Sequence, residues 1–194
     1  MSLPDGMDAQ AVSDENKQTA IFVAALAVLL AICSVGGDNA TKDAMRASIE
    51  SNDAWAFFQA KNLRQTNYSL AADSIERDLL NPALDPATKK FLQEKMEKYR
   101  ATVTRYETEP ATGDGKKELQ AKAKALEATR DTALQRDPYF DYAQGMLQIA
   151  IVLASSSLAL GTQFLLWIAR GLGVLGTLFM FNAFFLLVSI PGIG

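Results

Sequence analysis

Hydrophobic positions along this chain fall into two regimes. In three stretches they are continuous: Thr19–Gly37, reading TAIFVAALAVLLAICSVGG, Ala143–Ile168 and Leu172–Ile190 contain no charged residue. Elsewhere they recur at helical spacing among charges. At a rise of about 1.5 Å per residue the first run covers about 28 Å and the second about 39 Å, against a bilayer hydrocarbon core of about 30 Å. Each run is therefore predicted to be a transmembrane helix. Ala169-Arg170-Gly171 separates the second from the third, which predicts a tight antiparallel hairpin. Its close packing would rest on Gly171, Gly173 and Gly176 on one side and Ala154, Ser155, Ser157 and Gly161 on the other. Pro138 marks the start or a bend of the second span, and Tyr139, Phe140, Tyr142 and Trp167 suit the membrane interfaces.

Between the first and second spans the pattern becomes periodic. Asn39–Leu80 holds no Pro or Gly and predicts one helix of about 63 Å. Ile49, Ala56, Leu63 and Leu70 recur every seven residues, while the intervening row is Met45, Asn52, Gln59, Thr66 and Asp73. Those polar residues either pair across an interface or face water. Asn81-Pro-Ala-Leu-Asp-Pro86 breaks the helix, and Asp85 caps the next one. Residues 86–108 carry Leu92, Met96, Tyr99, Val103 and Tyr106 at spacings of four, three, four and three, a coiled-coil seam. After a turn at Pro110–Gly115, residues 116–136 form a third helix with Leu119, Leu126, Ala133 and Phe140 on one line.

The predicted fold class is thus an all-α membrane protein: an acidic tail over 1–18, a first span at 19–37, a water-exposed helical stalk over 38–142, and spans at 143–168 and 172–190. The stalk reads as a long, coiled-coil-like hairpin whose return arm is broken at 110–115. A two-arm hairpin gives each helix one partner and buries little apolar surface. Association with copies of itself or with other membrane-protein subunits is expected.

Charge sharpens this division. Of the 41 charged residues, 35 lie between Asp38 and Asp141, so the mean hydropathy of +0.03 averages two solvents. The amino-terminal tail is acidic, with Lys17 its one basic residue, which favours an uncleaved anchor over a signal peptide. Lys42, Arg46, Lys124, Arg130 and Arg136 near the span ends outweigh Lys17 and Arg170 on the other side, predicting a cytoplasmic central domain. A net charge of −3, with Lys and Arg interleaved with Asp and Glu, gives no basis for a nucleic-acid partner.

The absence of histidine excludes serine–histidine and cysteine–histidine catalysis and removes the commonest transition-metal ligand. No cofactor or metal site is expected. Cys33, the single cysteine, sits in an apolar run and reads as a structural thiol. Gly171-Leu-Gly173-Val-Leu-Gly176 spells GxGxxG but lacks the strand and downstream acid of a dinucleotide site, so helix packing explains it. Gln144, Gln148, Gln163, Thr177 and Asn182 are the strongly polar groups in the spans. They read as inter-helix glue, with a pore lining as the alternative.

The segment GGDNATKDAMRASIESNDAWAFFQAKNLRQ, above all Trp55-Ala-Phe-Phe-Gln59-Ala60-Lys61, resembles the bacterial membrane proteins grouped as the domain of unknown function 4337 family. The resemblance implies a three-span bacterial inner-membrane protein of this size and carries no activity, ligand or catalytic residue. Trp55, Phe57 and Phe58 lie about 27 Å beyond the first span, too far for headgroup anchoring, and are expected to pack against the return arm or a neighbouring subunit. Gln59 and Lys61 are candidates for a binding surface, although the structural reading is favoured. With Leu92, Met96, Tyr99 and Val103 they complete the interaction candidates. The expected function is a non-enzymatic membrane-anchored scaffold or accessory subunit, the alternative a small oligomeric channel or transporter.

Overall fold

The computed structural model describes the backbone of residues 5–191 and the side chains of residues 16–191, so most of the acidic tail and the last three residues lie outside the described side chains. Four helices follow one another: α1 (Asp5–Asp78), α2 (Pro86–Glu107), α3 (Lys116–Leu160) and α4 (Gln163–Phe185). Among the described residues there is no strand. Parts of α1, α3 and α4 are long and apolar enough to cross a membrane. The chain packs as two compact units, residues 1–44 with 131–194 (unit 1) and residues 45–130 (unit 2). Residues 38–44 and 131–142, expected to face water with the stalk, pack in unit 1.

Gly36-Gly37 does not separate a span from a stalk helix, because α1 is continuous. A Cβ at Gly36 would lie 2.5 Å from the Phe140 ring and 2.9 Å from that of Phe184, so this glycine permits close helix approach and does not interrupt the helix. Pro138 lies inside α3.

The hairpin turn also moves. Ala169-Arg170-Gly171 is helical, and the chain reverses at Gly161-Thr162. Gly161 has φ +65°, the left-handed conformation that glycine adopts freely at a helix C-terminus. Ser157 Oγ donates to the Thr162 carbonyl at 2.9 Å, and Thr162 N donates to the Ser157 carbonyl at 3.3 Å. A single glycine and a serine bond fix this turn within an uncharged run, whereas Arg170 had pointed to a loop eight residues further on.

Unit 1 is a three-helix bundle. Gly176 faces Leu147 and the Ala143 carbonyl, and Phe140 packs edge-on against Phe184 at 4.9 Å, which makes α3 and α4 antiparallel. Gly173 packs on Leu26 and Phe22 of α1 instead of on α3; Gly171 meets open space. Cys33 is wholly buried and donates to the Phe140 carbonyl at 3.5 Å. The interior mixes small and large residues: Ala143, Ala150, Ala154, Ala169 and Ala183 are each 0% exposed alongside Leu147 and the nearly buried Phe140, while Val152, Phe164, Trp167 and Phe185 point outward at 62–70%.

The third apolar run ends its helix early. Leu186 adopts φ 48°, and residues beyond it are non-helical. Their backbone groups are satisfied by side chains. Asn182 accepts from Val188 N at 2.9 Å and donates to the Val188 carbonyl at 2.8 Å, and the Tyr139 hydroxyl accepts from Ile190 N at 2.9 Å. A non-helical backbone at an apolar boundary needs such partners.

In unit 2, α1 runs outward and two segments run back along it. Gln65 bonds Val103 and Tyr68 packs on Tyr99 at 5.3 Å, pairing α1 with α2; Ser51 donates to the Ala123 carbonyl at 3.3 Å, pairing α1 with α3. Asp85 caps α2 as expected, accepting from Ala87 N and Thr88 N with Pro86 at the first helical position.

The face of α1 that does the packing differs from the expected one. Ala47, Ala54, Lys61, Tyr68 and Ile75, again seven residues apart, are buried or half-buried, whereas Ile49, Leu63 and Leu70 are 54–64% exposed and Ala56 is exposed too. Tyr68 and Ile75 join the inward row farther along α1, but near Ser51, where the backbones of α1 and α3 approach closely, it holds the small Ala47 and Ala54. Large aliphatics do not fit there, and hydrophobicity alone selected the wrong register.

Candidate interaction site

The side chains with the most chemistry in unit 2 gather where the return arm breaks, at residues 108–115. Gly113 takes φ +71° in the turn. Gly115 precedes the first residue of α3, and a Cβ there would lie 2.4 Å from Glu109 N and 2.7 Å from Thr108 Cα. Glu118, in the first turn of α3, reaches back: its carboxylate accepts from Thr108 Oγ1 at 2.7 Å and from Glu109 N at 3.3 Å. These bonds, led by that from Thr108, hold its pKa below the usual value. An acid at the third helical position after a glycine is the half of a capping box that sequence inspection could have found.

Around this turn α1 supplies Lys61 and Gln65. Gln65 donates to the Val103 carbonyl at 3.0 Å and to Glu107 at 3.1 Å, and accepts from Lys116 at 2.7 Å. Lys61 pairs with Glu109 at 3.5 Å and lies 5.7 Å from the centre of the Tyr106 ring. Lys116 pairs with Glu107 at 3.4 Å and sits 5.5 Å over Phe58. The Gln65 bond, followed by that of Lys116, lowers the pKa of Glu107. Each such pair contributes only about 0–1 kcal/mol, so the cluster fixes where the arm breaks more than it stabilises the unit.

The expected candidates divide accordingly. Trp55 donates to Glu127 at 2.8 Å and meets Phe58 edge-on at 5.5 Å, so both are packing residues. Lys61 belongs to the clasp at the break. Gln59 is exposed, away from it. Leu92, Met96, Tyr99 and Val103 are half-buried, with Tyr99 packed on Tyr68 and the Val103 carbonyl bonded by Gln65, and none of α2 is fully buried. Gln65, Glu107 and Lys116, which sequence inspection passed over, are what joins these pieces. Beside them opens a groove of about 470 Å³ lined by both signs of charge, among them Asp53, Arg64, Asp114 and Lys122. Among the described residues no group of three or more Cys, Asp or Glu is arranged to hold a metal.

Arg170 also changes place: it lies two turns inside α4, half-buried, with its guanidinium 5.3 Å from the Trp167 ring.

The family model for a domain of unknown function (DUF4337) matches residues 15–186, nearly the whole chain. The chain belongs to this family. The match takes in the Trp55–Lys61 block, the break at 108–115 and both apolar helices that follow, so the family's unit contains the clasp and the bundle alike. No curated protein and no solved structure matches the chain.

Proposed function

We propose that this protein is a membrane-anchored helical scaffold of the bacterial inner membrane, acting by self-association or as an accessory subunit of a larger membrane complex. One observation carries the reading: the apolar stretches of unit 1 turn large aliphatic and aromatic side chains such as Ile21, Val28, Phe164, Trp167 and Phe185 outward, around an interior in which alanines pack beside a few large residues. In water that arrangement exposes the apolar surface a fold should bury; in lipid it needs no covering, and close approach of small residues supplies the packing. The three uncharged or nearly uncharged helices then span the bilayer. Lys42, Arg46, Lys124, Arg130 and Arg136 follow the first span or precede the second, against Lys17 at the other end, which favours a cytoplasmic unit 2.

A non-enzymatic role is supported by the use to which unit 2 puts its charges. Lys61, Glu107, Glu109, Lys116 and Glu118 bond to one another and to the backbone across the break, where they define a shape. Alkaline carbonate washing should leave the chain in the membrane pellet, and mild detergent should release it as a discrete oligomer or with a companion protein, read by native mass spectrometry. A chain washed into the supernatant would sink the anchoring, and a monodisperse monomer without a companion would sink the scaffold role. Protease added to spheroplasts should spare unit 2.

A further inference from the structure

The outward row of α1 in unit 2 has no partner within the chain. Met45, Ile49, Leu63 and Leu70 are 54–67% exposed and lie opposite the packed face. In unit 1 the same seven-residue register carries Ile21, Val28 and Val35, at 60–70% exposure, which lipid would cover. Lipid does not explain residues 49–70, because Glu50, Asp53 and Arg64 are interleaved with them.

We propose that this row is the seam of a parallel, in-register homodimer, in which Ile49, Leu63 and Leu70 each meet their own copy across a two-fold axis. The proposal rests on the membrane-anchored reading, since two chains inserted alike in one membrane must present α1 in the same direction. Four features choose a second copy as the occupant. A repeat of seven is the period at which two helices stay in contact as they supercoil. The polar members of the second row, Asn52 and Gln59, each carry a donor and an acceptor and so can satisfy a copy of themselves. The flanking residues that a parallel pair brings together, Ser48 with Asp53, Trp55 with Ala60 and Asn62 with Asn67, include no like charges. Asp73, which follows Thr66 in that row, ends the seam, because two copies would repel. The exposed side of α2, by contrast, is occupied by charges such as Lys90, Glu94 and Lys98 and offers no such row.

The test places single cysteines at Leu63, Leu70 and, as a control on α2, Lys98 in the full-length chain; Cys33 is wholly buried and serves as a silent background. Oxidation of native membranes should give disulfide-linked dimers for Leu63→Cys and Leu70→Cys and none for Lys98→Cys or the unaltered chain. A companion variant, Leu63→Glu with Leu70→Glu, changes only exposed positions and should shift the detergent-extracted mass from dimer to monomer with helix content unchanged. Cross-linking at 63 and 70 no stronger than at 98, or to a different protein, overturns the seam while a chain retained in the pellet leaves the anchoring standing. A chain found in the supernatant overturns the anchoring, and the shared direction of the helices with it.

Discussion

Both units are built from α1 and an antiparallel return, and both bury the same seven-residue register of that helix, from Thr19, Leu26 and Cys33 in unit 1 to Ala47 and Ala54 in unit 2. They differ in what stands outside. Along the apolar stretches of unit 1 the outer positions are apolar; around unit 2 they are mostly charged or polar, with exposed apolar side chains along one row of α1 and singly at Phe57, Leu80 and Phe91. Interior composition therefore does not distinguish the two environments, since alanines are buried in both. The difference between the units lies in the outer positions, and the hydrophobic row among charges is the one on which the proposed dimer rests.

A charge introduced into corresponding outer positions is the sharpest way to break this comparison. Val28→Lys puts a charge near the middle of the first apolar run, where insertion scales assign a penalty of about 2.5–3.5 kcal/mol, and should sharply reduce the carbonate-resistant fraction. Ile49→Lys, three seven-residue repeats onward in the same register, should leave that fraction unchanged and tell only on self-association. Equal losses from both would mean that the two outer surfaces meet the same solvent. The next effect concerns the interior. Gly36→Val drives a side chain into Phe140 and Phe184 and should destabilise unit 1 by about 1–3 kcal/mol, read as a lower melting temperature in detergent. Gly171→Ala, with open space at its Cβ, should be neutral or stabilising by up to about 1 kcal/mol.

These contrasts also explain what could be read from the sequence. Helical content, the three apolar helices and the Asp85 cap were legible, because each depends on local composition and spacing. The hairpin turn was not: a charged Arg170 is a louder signal than Gly161, although the glycine's backbone freedom decides the reversal. The packing register of α1 was hidden for a related reason. Ile49, Leu63 and Leu70 outweigh Ala47 and Ala54 in hydrophobicity, but the close approach at Ser51 selects size. Gln65 and Lys116 were missed because they are 51 residues apart in sequence and meet only once the arm has folded back.

In unit 2, Trp55→Phe keeps the edge contact with Phe58 and removes the bond to Glu127, which should lower stability by about 1 kcal/mol. The smallest effect is one of pH, and it isolates the break at 108–115. Glu107 and Glu118 both titrate below their ordinary value of 4.5 because donors, first Gln65 and first Thr108 respectively, favour their charged forms. A carboxylate depressed on folding contributes stability that is fully present above its unfolded pKa and is lost as pH falls through the folded value. Melting of unit 2 should therefore be insensitive to these two groups above about pH 5 and decline as pH falls below 4.5. Glu118→Gln retains an acceptor for Thr108 but cannot titrate, so its melting temperature should fall less than that of the parent between pH 6 and 3.5. Since both carboxylates are partly exposed, solvent screening keeps the difference small, and parallel declines in the two proteins would show that Glu118 shapes the turn without its charge contributing to the stability of the arm.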